Sequence, residues 1–131
     1  DQANTRLAID AYREMTARHP DSEESKTART RIKECRQKLA QHELYVAQFY
    51  FEREKFKGVV RRTNYLLGHY PNLGLDPQAL LLGAKAHIAQ DEPTKAREKL
   101  SRLVDEFSST DEAKTAQELL QSLPVNPPKE G

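Results

Sequence analysis

The side chains that could do chemistry are few, and their spacing does not bring them together. Cys35 is the single cysteine, so the chain cannot form an internal disulfide. It falls on the apolar stripe of a predicted helix, whereas a reactive thiolate needs an electropositive, partly exposed setting. We interpret Cys35 as a small packed residue rather than as a nucleophile. No two histidines have the four-residue spacing of a helical zinc site; the histidines are His19, His42, His69 and His87.

The remaining polar residues also lack the patterns of catalysis. We expect His42 and His87 to be packed or half-buried rather than metal ligands, because both fall at inward positions of predicted helices. The carboxylates alternate with basic residues at helical spacing, as Glu34 and Lys38 do. No glycine-rich phosphate loop and no G-x-S-x-G motif occurs in the sequence. We predict a protein that is not an enzyme and that has no cofactor or metal. The alternative, an unrecognised active site, would need a deep pocket with converging titratable groups.

Charge and hydropathy exclude two further classes of function. The chain has 21 basic and 20 acidic residues, a net charge of +1, whereas nucleic-acid binders usually carry a strong basic excess. The longest apolar run, ALLLGA at 79–84, is far too short to span a membrane. One predicted helix carries a row of basic residues that is either a solvated face or a contact for an acidic partner; they are Lys26, Arg29, Lys33 and Arg36.

The chain repeats itself, which predicts its fold. Strand patterns are nearly absent, and three short segments, HPDS at 19–22, YPNL at 70–73 and FSST at 107–110, punctuate the helical spacing. Small and large apolar residues recur at fixed distances from them, as two closely packed helices require. This is the tetratricopeptide pattern. Its positions are held by Ala47, Val59, Leu66 and Pro71 in one unit and by Ala84, Ala96, Leu103 and Ser108 in the next.

An insertion lengthens one helix. Pro71 and Ser108 are 37 residues apart, near the tetratricopeptide period of about 34, but Pro20 and Pro71 are 51 apart. The difference of fourteen residues is close to four helical turns. The sequence therefore predicts an all-α tetratricopeptide solenoid with one extended helix over about 22–53. The full set of predicted helices is 3–19, 22–53, 55–69, 77–90, 93–107 and 111–122, with capping boxes that begin at Asp21 and Ser109 and a cap at Asp76.

We expect residues 1–123 to form this solenoid and the proline-rich residues 124–131 to be a disordered tail. The solenoid would contain an orphan second helix of a repeat, two complete helical hairpins and a C-terminal capping helix. The apolar face of helix 3–19, with Leu7 and Met15, needs a partner that the chain does not supply. We therefore expect the chain to be the C-terminal part of a longer solenoid.

The first helix of each tetratricopeptide unit lines a concave groove. In this numbering the groove positions are Gln41, Leu44, Gln48, Phe51 and Glu52, followed by Gln78, Leu81, Lys85, Ile88 and Ala89. The pattern predicts that Leu44, Phe51, Leu81 and Ile88 face outward and bind an extended or helical segment. The alternative is that neighbouring helices bury these four side chains.

Two segments carry a resemblance to a specific family. They are TRLAIDAYREMTARHPDSEESKTARTRI and KLAQHELYVAQFYFEREKFKGVVRRTNYLLGHYPN. Together they resemble the C-terminal half of the BamD (ComL) family, the lipoprotein subunit of the bacterial outer-membrane β-barrel assembly machinery. The resemblance is close over residues 5–74 and looser over 75–122. Its most specific part is HELYVAQFY followed by VVRR.

The resemblance implies a cellular location and a set of binding partners for this protein. BamD-type proteins are tetratricopeptide solenoids held by a lipid at the periplasmic face of the outer membrane, here through an N-terminal lipid that is absent from this chain. They bind a POTRA domain of BamA, accessory assembly lipoproteins and unfolded outer-membrane protein segments. Arg62 matches the arginine that the family carries on the VVxR helix at the BamA contact, and Arg61 and Tyr65 flank it. Arg61 departs from the asparagine that is common there.

These observations predict a non-enzymatic interaction scaffold that docks a BamA-type POTRA domain and accessory lipoproteins. The alternative with the same fold is another periplasmic tetratricopeptide adaptor that organises the cell envelope. A lipid-attachment signal and further repeats upstream would favour the first interpretation, and an upstream coiled coil would favour the second.

Overall fold

The computed structural model describes residues 2–124, and within them all regular structure is helical. The six helices are α1 (Gln2–Arg18), α2 (Glu23–Glu52), α3 (Phe56–His69), α4 (Asp76–Ala89), α5 (Pro93–Glu106) and α6 (Asp111–Ser122). Each lies within one or two residues of its predicted bounds. The extended helix is confirmed as α2, which runs for 30 residues without a break. Residues 125–131, most of the predicted tail, lie outside the described residues.

Among the described residues, those up to His42 form one compact unit and those from Glu43 onward form another. In the first unit, the turn between α1 and α2 is closed by serines. Ser25 is fully buried, and its hydroxyl donates a hydrogen bond to the carbonyl oxygen of His19. Ser22 caps α2, since its Oγ accepts from the Ser25 backbone N–H at 3.0 Å. The predicted capping box at Asp21 is therefore wrong by one residue. Ile9 is buried, whereas Leu7 is 66% exposed.

In the second unit, neighbouring helices pack in series, α3 on α4, α4 on α5 and α5 on α6, as in a tetratricopeptide-like solenoid. The core between α4, α5 and α6 contains Leu80, Ala84, Leu100, Leu103, Ala113 and Ala116. The small and large positions of the repeat pattern are all fully buried; they are Ala47, Val59, Leu66, Ala84, Ala96 and Leu103. The predicted register of the repeats is confirmed.

The structure corrects two other predicted caps. The cap of α6 is Thr110 rather than Ser109, because the Thr110 side chain accepts from the Ala113 N–H at 3.2 Å. Asp76 is the first residue of α4 rather than its cap. Its buried carboxylate accepts a hydrogen bond from the backbone N–H of Asn72 at 3.0 Å. This bond stabilises the turn that precedes α4.

The apolar stripe predicted along α2 does not stay on one face. His42 is exposed rather than packed, and Phe49 is 41% exposed. A stripe that repeats every seven residues drifts by roughly 20° per heptad around a straight helix. The stripe runs from Ala28 to Phe49, a span of three heptads, and over that span the drift turns its later members toward solvent. His87 is buried, as expected, and Cys35 is partly buried.

Candidate functional site

The arginine of the VVRR segment makes an ion pair between α2 and α3. Nη1 of Arg62 donates to Oε2 of Glu43 at 3.0 Å. The Glu43 side chain is only 7% exposed, whereas Arg62 is 40% exposed. The hydrogen bond to Glu43 raises the pKa of Arg62 above its ordinary value, burial opposes that rise, and Tyr50 adds to it. Arg62 therefore stays charged, fixed on one side by a buried carboxylate and open to solvent on the other.

Glu43 is the functional residue that the sequence reasoning missed. A carboxylate needs a partner when it is buried, and Glu43 lies four residues before the fully buried Ala47 on the inward face of α2. The inward position of Glu43 therefore indicates from the sequence that its carboxylate needs a partner. It could not identify Arg62 as the partner, because the pairing depends on how α2 and α3 are aligned.

Tyr50 supports this site from α2. A Cβ built on Gly58 would lie 2.7 Å from Cδ2 of the Tyr50 ring, closer than real contacts allow. Position 58 must therefore be glycine for the Tyr50 ring to lie against α3. Phe49 is beside Tyr50, with ring centroids 6.3 Å apart. The guanidinium of Arg53 covers the Phe49 ring at 3.4 Å from its centroid, a cation–π contact.

The predicted neighbours of Arg62 have different environments. Tyr65 is 38% exposed and stacks on His69 with centroids 4.0 Å apart. It presents a rigid aromatic surface on the same helix as Arg62. Arg61, by contrast, lies in the wall of a separate cavity of about 620 Å³ with Lys57 and Gln90. At 100° per residue, Arg61, Arg62 and Tyr65 together span about 100° of the circumference of α3. The three side chains therefore lie on one flank of that helix.

The predicted groove is present only in part. Gln48, Leu81 and Lys85 line a shallow cavity of about 170 Å³, together with Gln78, Leu82 and Glu112. The prediction for Leu44 is wrong, because Leu44 is only 6% exposed on the face that it shares with Ala40 and Ala47.

The other apolar groove residues are also less available than predicted. Phe51 is partly buried and packs edge-on against Phe56, with centroids 5.5 Å apart. Leu81 packs partly against the core, and Ile88 is partly buried. Four of the six residues that line the shallow cavity, the polar groove, have polar side chains, and Leu81 and Leu82 contribute apolar surface.

The described residues show neither a metal-binding cluster nor a membrane-spanning helix. Among residues 2–124, no three or more His, Cys, Asp or Glu side chains are grouped so that they could hold a metal ion. Within the same residues, no helix combines the length and the apolar character that crossing a membrane requires.

Comparison with known protein families places the chain in a family of outer membrane lipoproteins. The model of the family YfiO, described as outer membrane lipoprotein, matches residues 1–103. The matched range contains α1 to α4 and most of α5, and it includes both members of the Arg62–Glu43 pair.

Proposed function

Because the chain belongs to the YfiO (BamD) family of outer membrane lipoproteins, we propose that it is a non-enzymatic scaffold of β-barrel protein assembly. In this proposal it lies at the periplasmic face of the outer membrane and docks a BamA-type POTRA domain and accessory lipoproteins. The observation that carries the proposal is the Arg62–Glu43 pair, which holds one charged guanidinium at a partly exposed, aromatic-flanked position.

The Arg62 guanidinium is held in place before any partner binds. A free surface arginine loses side-chain entropy when a partner orders it, but Glu43 already fixes the Arg62 guanidinium. Guanidinium groups present several N–H donors, and the bond to Glu43 uses one of them. Tyr50 also interacts with the guanidinium, and the remaining donors on its exposed side are available to a partner carboxylate. Arginine and tyrosine are also the residue types that most often dominate binding energy at interfaces, and Tyr65 is on the same flank.

The proposal is tested by Arg62→Glu. We expect this change to weaken binding to a BamA-type POTRA domain by roughly thirty-fold, equivalent to about 2 kcal/mol, because it opposes the partner carboxylate with a like charge. Isothermal titration calorimetry measures the affinity, and circular dichroism checks that the helices are retained.

Arg102→Glu is the matched control. Arg102 is 41% exposed and also pairs with a glutamate, Glu106, at 2.7 Å, but on α5. We expect Arg102→Glu to bind like the wild type. An Arg62→Glu protein that retains wild-type affinity would disprove the proposed contact.

The polar groove supports a second role within the same scaffold, binding of unfolded outer-membrane protein segments. The carboxamides of Gln48 and Gln78 line it, and carboxamides both donate and accept hydrogen bonds. They can therefore bond to the backbone of an extended segment whatever its side chains are. Hydrogen bonding to the backbone suits the binding of outer-membrane protein segments that differ in sequence.

The test of the groove is the double variant Gln48→Ala/Gln78→Ala. Each hydrogen bond contributes about 1 kcal/mol, and the double variant removes two side chains, so we expect roughly thirty-fold weaker binding of a peptide from a barrel strand, measured by fluorescence anisotropy. The control is Gln117→Ala/Gln121→Ala, which removes two exposed carboxamides from α6. Equal losses in the two double variants would rule out a specific groove.

A further inference from the structure

A cavity of the second unit lies where α2 ends and α3 begins. It has a volume of about 620 Å³, and Tyr50, Lys55, Lys57 and Arg61 are among its lining residues. Pockets of 300–1,000 Å³ suit ligands larger than a single small ion. The cavity is therefore large enough for a few residues of a peptide.

The lining carries uncompensated positive charge. Lys55, Lys57 and Arg61 face one acidic residue, Glu54, and within residues 2–124 none of these three cations takes part in an ion pair. Arg62 and Arg102, by comparison, each have a glutamate partner. The first turn of α3 contains no acidic residue, and its N-terminus has no side-chain cap, which adds to the positive potential.

The cavity also has an aromatic wall. The Tyr50 ring lies against Gly58, and Phe56 stands at the start of α3. An aromatic surface beside cations fits a ligand that combines carboxylates with an apolar side chain. We propose that this cavity, the basic pocket, is a docking site for a short acidic peptide segment that carries an apolar residue.

Charge favours a peptide over a lipid surface. Binding to anionic lipids usually involves clusters of four to eight basic residues, whereas the basic pocket has three, partly offset by Glu54. The net charge of the whole chain is only +1, so long-range attraction to a membrane or a nucleic acid is weak. The local excess of charge suits one acidic segment.

The proposal does not depend on the role of Arg62. It is tested with the full chain and without any partner domain, so its failure leaves the proposed scaffold function standing, and the reverse also holds.

The probe is a fluorescein-labelled peptide of sequence Asp-Glu-Phe-Asp-Glu, and binding is measured by fluorescence anisotropy. We expect saturable binding that weakens as salt is raised. The double variant Lys57→Glu/Arg61→Glu should lower the affinity at least tenfold. Lys38→Glu, an exposed lysine on α2, is the control for a change of charge elsewhere and should leave the affinity unchanged.

A second variant alters the shape of the pocket and keeps its charge. Gly58→Ala places a methyl group against the Tyr50 ring, so the ring must move. We expect weaker binding of the phenylalanine peptide, but little change for a peptide in which serine replaces phenylalanine. Circular dichroism confirms that both proteins remain helical.

Several outcomes would overturn the proposal. One is equal binding of the charge-reversed peptide Lys-Arg-Phe-Lys-Arg, and another is wild-type affinity in the Lys57→Glu/Arg61→Glu protein. Binding of phosphatidylglycerol vesicles but not of the acidic peptide would identify a lipid surface instead. Displacement of the peptide by an equal concentration of inorganic phosphate would identify a simple anion site.

Discussion

At the scale of single residues, the molecule keeps a few charges in fixed positions. Arg62 is held by Glu43, and a second group of charges surrounds Glu92 at the start of α5. Nδ1 of the buried His87 lies 3.1 Å from Oε1 of Glu92, and Nζ of Lys95 lies 3.2 Å from Oε2. The hydrogen bonds from His87 and Lys95 hold the pKa of Glu92 below its ordinary value of 4.5.

This lowered pKa predicts a pH dependence of stability. A carboxylate whose pKa is lower in the folded state stabilises the fold above its unfolded pKa, and the contribution is lost as pH falls through the folded value. We expect Glu92→Gln to lower the melting temperature at pH 7, and the difference from the wild type to shrink below about pH 4.5.

The measurement is a thermal unfolding series from pH 7 to pH 3. Glu118→Gln removes an exposed carboxylate from α6, and it should change the melting temperature at pH 7 by less than Glu92→Gln does. If the melting temperature of Glu92→Gln stays below that of the wild type by the same amount down to pH 3, the role of the Glu92 carboxylate is contradicted.

The sequence predicted some of these residues and could not predict others. Arg62 and Tyr65 were identified through the VVRR segment, and His87 through its inward position in the repeat. The pairing of Arg62 with Glu43 was not predictable, because residues 19 positions apart meet only once the alignment of two helices is known. The tetratricopeptide pattern left burial of Leu44 open as the alternative to a groove position, and its burial on the face of Ala40 and Ala47 agrees with that alternative.

At the scale of secondary structure elements, sequence reasoning was most successful. Helical periodicity and the turn segments HPDS, YPNL and FSST predicted all six helices to within two residues of their bounds. Caps were less predictable, since Asp21 precedes Ser22 and Ser109 precedes Thr110. Each member of these two pairs is a suitable capping residue, and only the backbone geometry decides which one acts.

The cap of α6 gives a prediction at this scale. Thr110→Ala removes the side-chain oxygen that accepts from the Ala113 N–H, and loss of such a cap costs about 1 kcal/mol. We expect this decrease in the free energy of unfolding, measured by urea denaturation.

Thr115→Ala is the matched control, because the Thr115 hydroxyl makes only a long 3.4 Å bond to the Asp111 carbonyl within α6. Thr115→Ala should lower the free energy of unfolding by less than Thr110→Ala does. Equal decreases for the two variants would argue against the capping role of Thr110.

At the scale of the whole molecule, the proposed sites all lie in one of the two units. The Arg62 flank, the polar groove and the basic pocket all lie between residues 43 and 124. The family match, by contrast, extends over both units. Overall charge is nearly balanced, so binding must come from local arrangements such as the Arg62–Glu43 pair rather than from a general electrostatic field.

Arg62 has two proposed roles, a structural one toward Glu43 and a docking one toward a partner. A charge swap, Arg62→Glu/Glu43→Arg, separates them. The swap keeps a pair of opposite charges between α2 and α3 but reverses the charge that faces solvent. The milder Arg62→Gln removes the charge without introducing a carboxylate.

The most direct test is a calorimetric titration of these proteins with a BamA-type POTRA domain, accompanied by thermal unfolding. We predict that the charge swap melts at a higher temperature than Arg62→Glu and still binds at least tenfold more weakly than the wild type. Arg62→Gln should also bind more weakly. Wild-type affinity in the swapped protein, or in Arg62→Gln, would contradict the account.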